Sequence, residues 1–161
     1  YYASIEALNM AGLSPKELNL IIVATVSGDM PLPSTACIVQ HKLNASSAAA
    51  FDINAACSGF IYALAIADSF IKSGSFKNIL IVGTEVLSRL TDWQDRTTCV
   101  LLGDGAGAAV LTLSDSERGI VSVKLYSDGS MWDLLHIPAG GSKMPTSEQT
   151  LKNRLHFIKM K

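Results

Sequence analysis

The feature that most constrains the fold is a set of three short apolar runs separated by segments with helical patterns. The runs occupy residues 20–26, 48–53 and 78–82, and Ser34 can cap a helix that continues to about Leu43 between the first two. Apolar residues fill these runs continuously instead of alternating with polar ones, as in strands that are covered on both faces. The sequence therefore predicts an α/β fold with a mainly parallel or mixed sheet and helices on both faces.

Weaker patterns predict additional elements on either side of this region. We predict a helix over residues 1–11, strands over 98–102, 108–113 and 119–126, and a strand-like alternation over 155–161.

Composition and charge exclude several classes of protein. The chain has 161 residues, of which 48% are hydrophobic, enough for a soluble globular core. With 13 Lys and Arg against 14 Asp and Glu, the formal net charge of −1 predicts no general attraction to nucleic acid or to anionic membranes. No apolar run reaches the roughly 18 residues of a membrane-spanning helix, and the N-terminus lacks the features of a signal peptide. We therefore predict a cytoplasmic protein.

Both ends of the sequence interrupt a structural pattern. It begins at Tyr1 inside a helical pattern without a starting Met, and it stops at Lys161 inside the strand-like alternation without a turn signal. We expect residues 1–161 to be part of an N-terminal domain whose first residues, together with a whole C-terminal domain, lie outside this sequence.

Cys57 has the strongest chemical context in the sequence. A strand leads through small residues to Cys57, and residues 57–72 would form a helix that is apolar nearly all round and therefore buried. A thiol at the start of a helix meets backbone N–H groups and a dipole that favour a thiolate and can hold the oxyanion of an attacked thioester. This position suits acyl transfer, although a core cysteine at a tight strand-to-helix turn would give the same pattern.

The remaining cysteines and the histidines have simpler interpretations. Cys37 lies in a predicted helix and Cys99 in a predicted strand, so both are interpreted as small buried apolar residues. No CxxC or Cys/His pattern indicates a disulfide framework or a metal site. His41, His136 and His156 each have a structural interpretation, and none forms a recognisable pair with Cys57.

Residues 103–108 satisfy a relaxed dinucleotide-binding pattern, G-x-G-x-x-A. The segment after it is short and β-prone, whereas a phosphate site requires a helix there. We predict a tight turn between two strands, with Asp104 bonding backbone amides, and keep a nucleotide-binding module as the alternative. Arg96 could bind a phosphate or stack on a base, or it could form an ion pair with Asp92 or Asp95.

Several motifs in order resemble the β-ketoacyl-acyl carrier protein synthase III family, the condensing enzymes that start type II fatty acid synthesis. They lie at residues 33–37, 51–60, 82–89, 92–97 and 103–109. The resemblance implies a thiolase-like layered fold, of which about half is present. It also implies that Cys57 takes an acyl group from acyl-CoA, with acetyl-CoA expected, and condenses it with malonyl-acyl carrier protein, releasing CO2 and a 3-oxoacyl product.

The resemblance assigns further residues. The amide of Cys57 would share the oxyanion hole, Arg96 matches an arginine at the adenine end of coenzyme A, and Leu32 stands where many relatives carry a Phe that closes the acyl pocket across a homodimer. The family's H-Q-A-N signature is absent, so the His and Asn partners of Cys57 are missing and the isolated piece is expected to be inactive. No metal and no cofactor beyond the coenzyme A thioester substrate is implied. The alternatives are a related thiolase-fold synthase of polyketide-starter, alkylquinolone or hydroxymethylglutaryl-CoA type, and a non-catalytic thiolase-like subunit.

Overall fold

The structure, a computed structural model, describes residues 1–114 and 119–161. It divides into two units, the first comprising Tyr1–Glu85 with Gly105–Leu125 and the second Val86–Asp104 with Tyr126–Lys161. None of the described helices is long and apolar enough to cross a membrane.

The first unit is built on a four-stranded sheet. In chain order its elements are α1 (Tyr2–Ala11), a 3-10 turn (Pro15–Glu17), β1 (Leu20–Ala24), α2 (Thr35–Leu43), β2 (Ala49–Ile53), a second 3-10 turn (Ala56–Ser58), α3 (Gly59–Lys72), β3 (Asn78–Val86) and β4 (Asp104–Thr112). The strand order is β2-β1-β3-β4, and β1 runs parallel to both β2 and β3. The predicted sheet and the three predicted strands that begin it are confirmed.

Helices cover both faces of this sheet, which explains the continuous apolar runs. Alternate residues of β1 point to opposite sides, so that Ile21 and Val23 pack in the core formed with α1 and α2. On the other side Leu20 and Ile22 pack against α3. With both sides buried, a strand has no position for a polar side chain that faces water.

Helix α3 is covered on one face by the described residues. Gly59, Ala63 and Ala67 are buried, whereas Ile61 is 47% exposed. The sequence predicted burial nearly all round, whereas the described residues fully bury only this face.

The second unit contains little regular structure. It has 3-10 turns at Leu87–Arg89 and Gly129–Met131, a short antiparallel pair of β5 (Leu135–His136) with β6 (Lys159–Met160), and helix α4 (Glu148–Lys152). The predicted strand over 155–161 is therefore reduced to β6.

Three predictions in the second half of the chain were wrong. Residues 98–102 form turns instead of a strand, because the amides of Thr98 and Cys99 both donate to the carbonyl of Asp95. The run 119–126 forms no strand, and Val121 is 97% exposed with no described strand beside it. The predicted tight turn over 103–108 is instead the start of β4, which begins at Asp104.

Candidate functional site

Cys57 is the most accessible of the three cysteines. It lies in the 3-10 turn between β2 and α3 and is exposed, whereas Cys37 and Cys99 are partly buried. Cys37 also has local partners, since its sulfur accepts a hydrogen bond from Ser34 Oγ at 3.1 Å. The structure therefore presents one thiol to an incoming reagent and packs the other two.

The turn that presents Cys57 has a strained backbone. Ala56, the preceding residue, has φ of 44°, in the left-handed region that residues with a Cβ rarely adopt. Such a conformation costs about 1–3 kcal/mol and persists only where the surrounding structure enforces it, often at functional sites. Here it turns the chain from the end of β2 directly into α3, leaving the Cys57 side chain exposed.

Small residues bring the start of α3 against the sheet. A Cβ added to Gly59 would lie 2.9 Å from the Cβ of Ala24, the last residue of β1. A Cβ added to Gly83, the partner of Ala24 in the ladder with β3, would lie 3.2 Å from the ring of Phe60. The first turn of α3 is thus fixed at the carboxyl ends of two parallel strands, the edge at which open α/β sheets bind their ligands.

Two strand carboxylates hold the loop that follows β1 at that edge. Glu85 of β3 accepts hydrogen bonds from the amide of Val26 at 2.9 Å and from the hydroxyls of Thr25 and Ser27. At the other end of the loop, Asp52 of β2 accepts from the amides of Thr35 and Ala36, both at 2.7 Å.

Between these two anchors the loop exposes Leu32, which is 84% exposed. Sequence reasoning missed both anchors. The available signal was a carboxylate within an otherwise apolar strand, which requires hydrogen-bond donors nearby.

Arg96 is a free cation in the second unit. Its side chain is exposed, and none of the described residues forms an ion pair with it. The alternative of a pair with Asp92 is wrong, because Asp92 pairs with Arg154 and Lys159 instead. Hydrogen bonding from Arg154 holds the pKa of Asp92 far below its usual range, so this carboxylate stays ionised.

The glycine-rich run is not built as a phosphate site. It opens strand β4, so no helix N-terminus follows it. The carboxylate of Asp104 accepts from the amide of Ser88 at 2.7 Å and from its hydroxyl at 2.6 Å, which confirms the predicted amide bond. The nucleotide-binding alternative therefore lacks the geometry that it requires.

The described histidines do not support Cys57. Within the first unit, His41 lies at the exposed end of α2 and no described hydrogen bond joins it to Cys57, whereas His136 and His156 belong to the second unit.

Known proteins match this chain over nearly its whole length. The model of the family "3-oxoacyl-[acyl-carrier-protein (ACP)] synthase III" matches residues 51–129. The β-ketoacyl-[acyl-carrier-protein] synthase III of Caldanaerobacter subterraneus subsp. tengcongensis is 54% identical over 98% of this chain and 48% of its own length. That of Natranaerobius thermophilus is 53% identical over 96% of this chain and 48% of its own length.

A solved structure that is similar to this chain carries the same enzyme name as these relatives. The crystal structure of 3-oxoacyl-[acyl-carrier-protein] synthase III from Aquifex aeolicus superposes with a TM-score of 0.85 at 51% identity, covering 98% of this chain and 46% of that one. This superposition shows that the chain has a thiolase-like fold. Within that class the chain belongs to the β-ketoacyl-[acyl-carrier-protein] synthase III family, and it spans about half the length of the curated relatives it matches.

Proposed function

We propose that the protein carrying this chain starts type II fatty acid synthesis in the cytoplasm. It takes an acyl group from acyl-CoA, in the first instance acetyl-CoA, and condenses it with malonyl-acyl carrier protein. The observation that carries this proposal is the exposed thiol of Cys57 on a strained turn that follows the carboxyl end of β2, a strand parallel to β1. Relatives named for the same activity are 53–54% identical to the chain.

Cys57 acts first as nucleophile and then as leaving group. Its sulfur attacks the thioester carbonyl, the S–C bond of the acyl-CoA breaks, and coenzyme A leaves as the thiol with the proton of Cys57. Malonyl-acyl carrier protein then loses CO2, and the resulting enolate carbon attacks the acyl carbonyl. The Cys57 sulfur departs and takes up a proton, and the product is 3-oxoacyl-acyl carrier protein.

The backbone around Cys57 supports the first step. The family resemblance assigns the amide of Cys57 to the oxyanion hole of both carbonyl attacks, and this amide lies in the short turn just before α3. Sulfur also suits the exchange, because passing an acyl group between two thioesters is close to balanced in free energy. The His and Asn that assist decarboxylation in the family have no counterpart in the 161 residues. We therefore assign them to residues outside this sequence and expect no condensation by this chain alone.

Intact-mass measurement on the full-length protein tests the proposal. Incubation with acetyl-CoA should add one acetyl group, which peptide mapping locates on Cys57, and addition of malonyl-acyl carrier protein should remove it with release of CO2. An adduct on Cys37 or Cys99, or no adduct, would contradict the proposal.

Arg96 is proposed to pack against the adenine end of coenzyme A. Its exposed guanidinium has no ion-pair partner among the described residues and is therefore free to meet a phosphate or a base.

The protein is further proposed to be a homodimer. Strand β2 is an edge of the sheet in the described ranges, and an unpaired strand edge is a surface on which an identical strand can pair about a two-fold axis. Sedimentation equilibrium of the full-length protein tests this proposal, and a monomer at micromolar concentration would contradict it.

Leu32 is proposed to close the acyl pocket of the partner subunit and to admit starters longer than acetyl. Its exposure on an anchored loop supports this role. Replacing Leu32 by Phe should lower kcat/KM for butyryl-CoA and isobutyryl-CoA by about tenfold relative to acetyl-CoA, because a larger side chain takes up the space of one or two methylenes. Strict acetyl preference of the unchanged protein, measured with the same three primers, would contradict this role.

A further inference from the structure

We infer that Asp92 is a positioning residue for coenzyme A, because its ion pairs with Arg154 and Lys159 order the loop 92–98 and leave Arg96 free to bind. The inference rests on the proposed function of Arg96 and adds the ion pairs that order the loop on which Arg96 lies. All of these residues belong to the second unit.

The carboxylate of Asp92 is held by several donors at once. Asp92 is only 4% exposed, and its two oxygens accept from Nε of Arg154 at 3.0 Å and from the Nη2 nitrogen of the same guanidinium. Lys159 Nζ adds a third contact at 3.4 Å. A two-point pair between a carboxylate and a guanidinium fixes orientation as well as distance.

Arg154 is itself constrained on several sides. Its backbone has φ of 56°, in the left-handed region, and its guanidinium lies 5.0 Å from the centre of the Phe157 ring. Nearby, the amide of Ile158 donates to the carbonyl of Leu90 at 2.8 Å. The segment 154–159 therefore contacts Leu90 through its backbone and Asp92, the first residue of the loop, through its side chains.

From Asp92 onward, local hydrogen bonds define the course of the loop. The amide of Gln94 donates to Asp92 Oδ1 at 3.1 Å, and the amide of Asp95 donates to the Asp92 carbonyl at 2.9 Å. The next turn is closed by Asp95, whose carboxylate accepts from the amide of Thr97 at 3.0 Å. Arg96 is the central residue of this second turn, so its backbone is fixed while its side chain remains exposed.

The charge balance also favours ligand binding. A buried Asp92 without Arg154 and Lys159 would be an anion four residues before Arg96, and it would compete with a phosphate for that guanidinium. Two cations around one carboxylate satisfy it, so that Asp92 has its own partners and does not need Arg96. Asp92 therefore orders the loop without forming an ion pair with Arg96.

A comparison of two acyl donors in the full-length protein tests the inference. Acetyl-CoA carries the adenine nucleotide, whereas acetyl-pantetheine carries the same thioester without it. In Asp92→Asn the KM for acetyl-CoA should rise about three- to tenfold, since an unordered arginine must be immobilised on binding. The kcat, and the kcat/KM with acetyl-pantetheine, should stay within about twofold of the unchanged protein.

Three further variants distinguish an effect on coenzyme A binding from a general loss of structure. Arg96→Ala should show the same dependence on the donor, and Arg154→Lys, which keeps the charge but loses the two-point pair, should show a smaller version of it. Asp68→Asn removes an exposed ion pair with Lys72 and should change nothing.

Equal losses with both donors in Asp92→Asn and Arg154→Lys would show a general structural role and overturn the inference. A donor-dependent loss in Arg96→Ala alone would also overturn it while preserving the role of Arg96. Failure of the unchanged protein to transfer acetyl from acetyl-CoA would instead contradict the proposed function.

Discussion

Replacing Cys57 by alanine is expected to abolish the acyl adduct and to lower the condensation rate by roughly 10³-fold or more, because no other group can carry the acyl intermediate. Serine at the same position should acylate slowly and then retain the acyl group, since an oxygen ester is a poor donor to the enolate. Intact mass spectrometry measures the adduct, and formation of 3-oxoacyl-acyl carrier protein measures condensation.

The other two cysteines supply the control for that experiment. Cys37→Ala and Cys99→Ala remove partly buried thiols, so they should keep the adduct at Cys57 and retain most of the rate. A Cys57→Ala protein that still condenses within about tenfold of the normal rate would show that covalent catalysis does not pass through this residue.

Replacing Gly59 by alanine should destabilise the protein by about 1–3 kcal/mol and slow acylation of Cys57. Helix propensity and steric contact have opposite effects on stability here. Alanine within a helix usually stabilises it by about 1 kcal/mol relative to glycine. The steric effect should win, since the new Cβ would lie 2.9 Å from the Cβ of Ala24. That atom is attached directly to the backbone of β1 and cannot rotate away, so α3 must shift and take Cys57 with it.

Gly107→Ala is the matched control for this substitution. Gly107 lies in β4, and a Cβ added there would meet nothing within 4 Å. Thermal unfolding and the rate of acylation by acetyl-CoA should therefore be nearly unchanged in this variant. Equal unfolding midpoints for Gly59→Ala and Gly107→Ala would show that the contact between α3 and β1 is not tight.

Local pattern was sufficient to predict the sheet that carries Cys57. Strands β1 and β3 are covered by helices on both sides, so each of them appears in the sequence as an uninterrupted run of apolar residues. The small residues between β2 and α3 also predicted the abrupt turn at Cys57, whereas its exposure was left open, because a core cysteine would give the same sequence pattern. The strain at Ala56 does not follow, since alanine gives no sign of a left-handed backbone.

The residues that hold the site were harder to predict because their partners are distant in the sequence. Glu85 bonds Val26 across 59 positions, and Asp92 bonds Arg154 across 62. A carboxylate in an apolar context signals that donors are required without saying which donors. The strand predicted over 119–126 was wrong for a related reason, since a strand pattern requires a neighbouring strand to pair with and the described residues provide none there.

The separation between Asp92 and Arg154 also sets an order of events during synthesis. The contacts of Gly59 with Ala24 and of Glu85 with Val26 join residues between Leu20 and Glu85, whereas the loop of Arg96 is fixed only after Arg154 has been added. At about 5–20 residues per second, the 69 residues from 85 to 154 take a ribosome about 3–14 seconds. A nascent chain therefore contains every residue of those contacts some seconds before the residue that fixes the loop of Arg96 has been added.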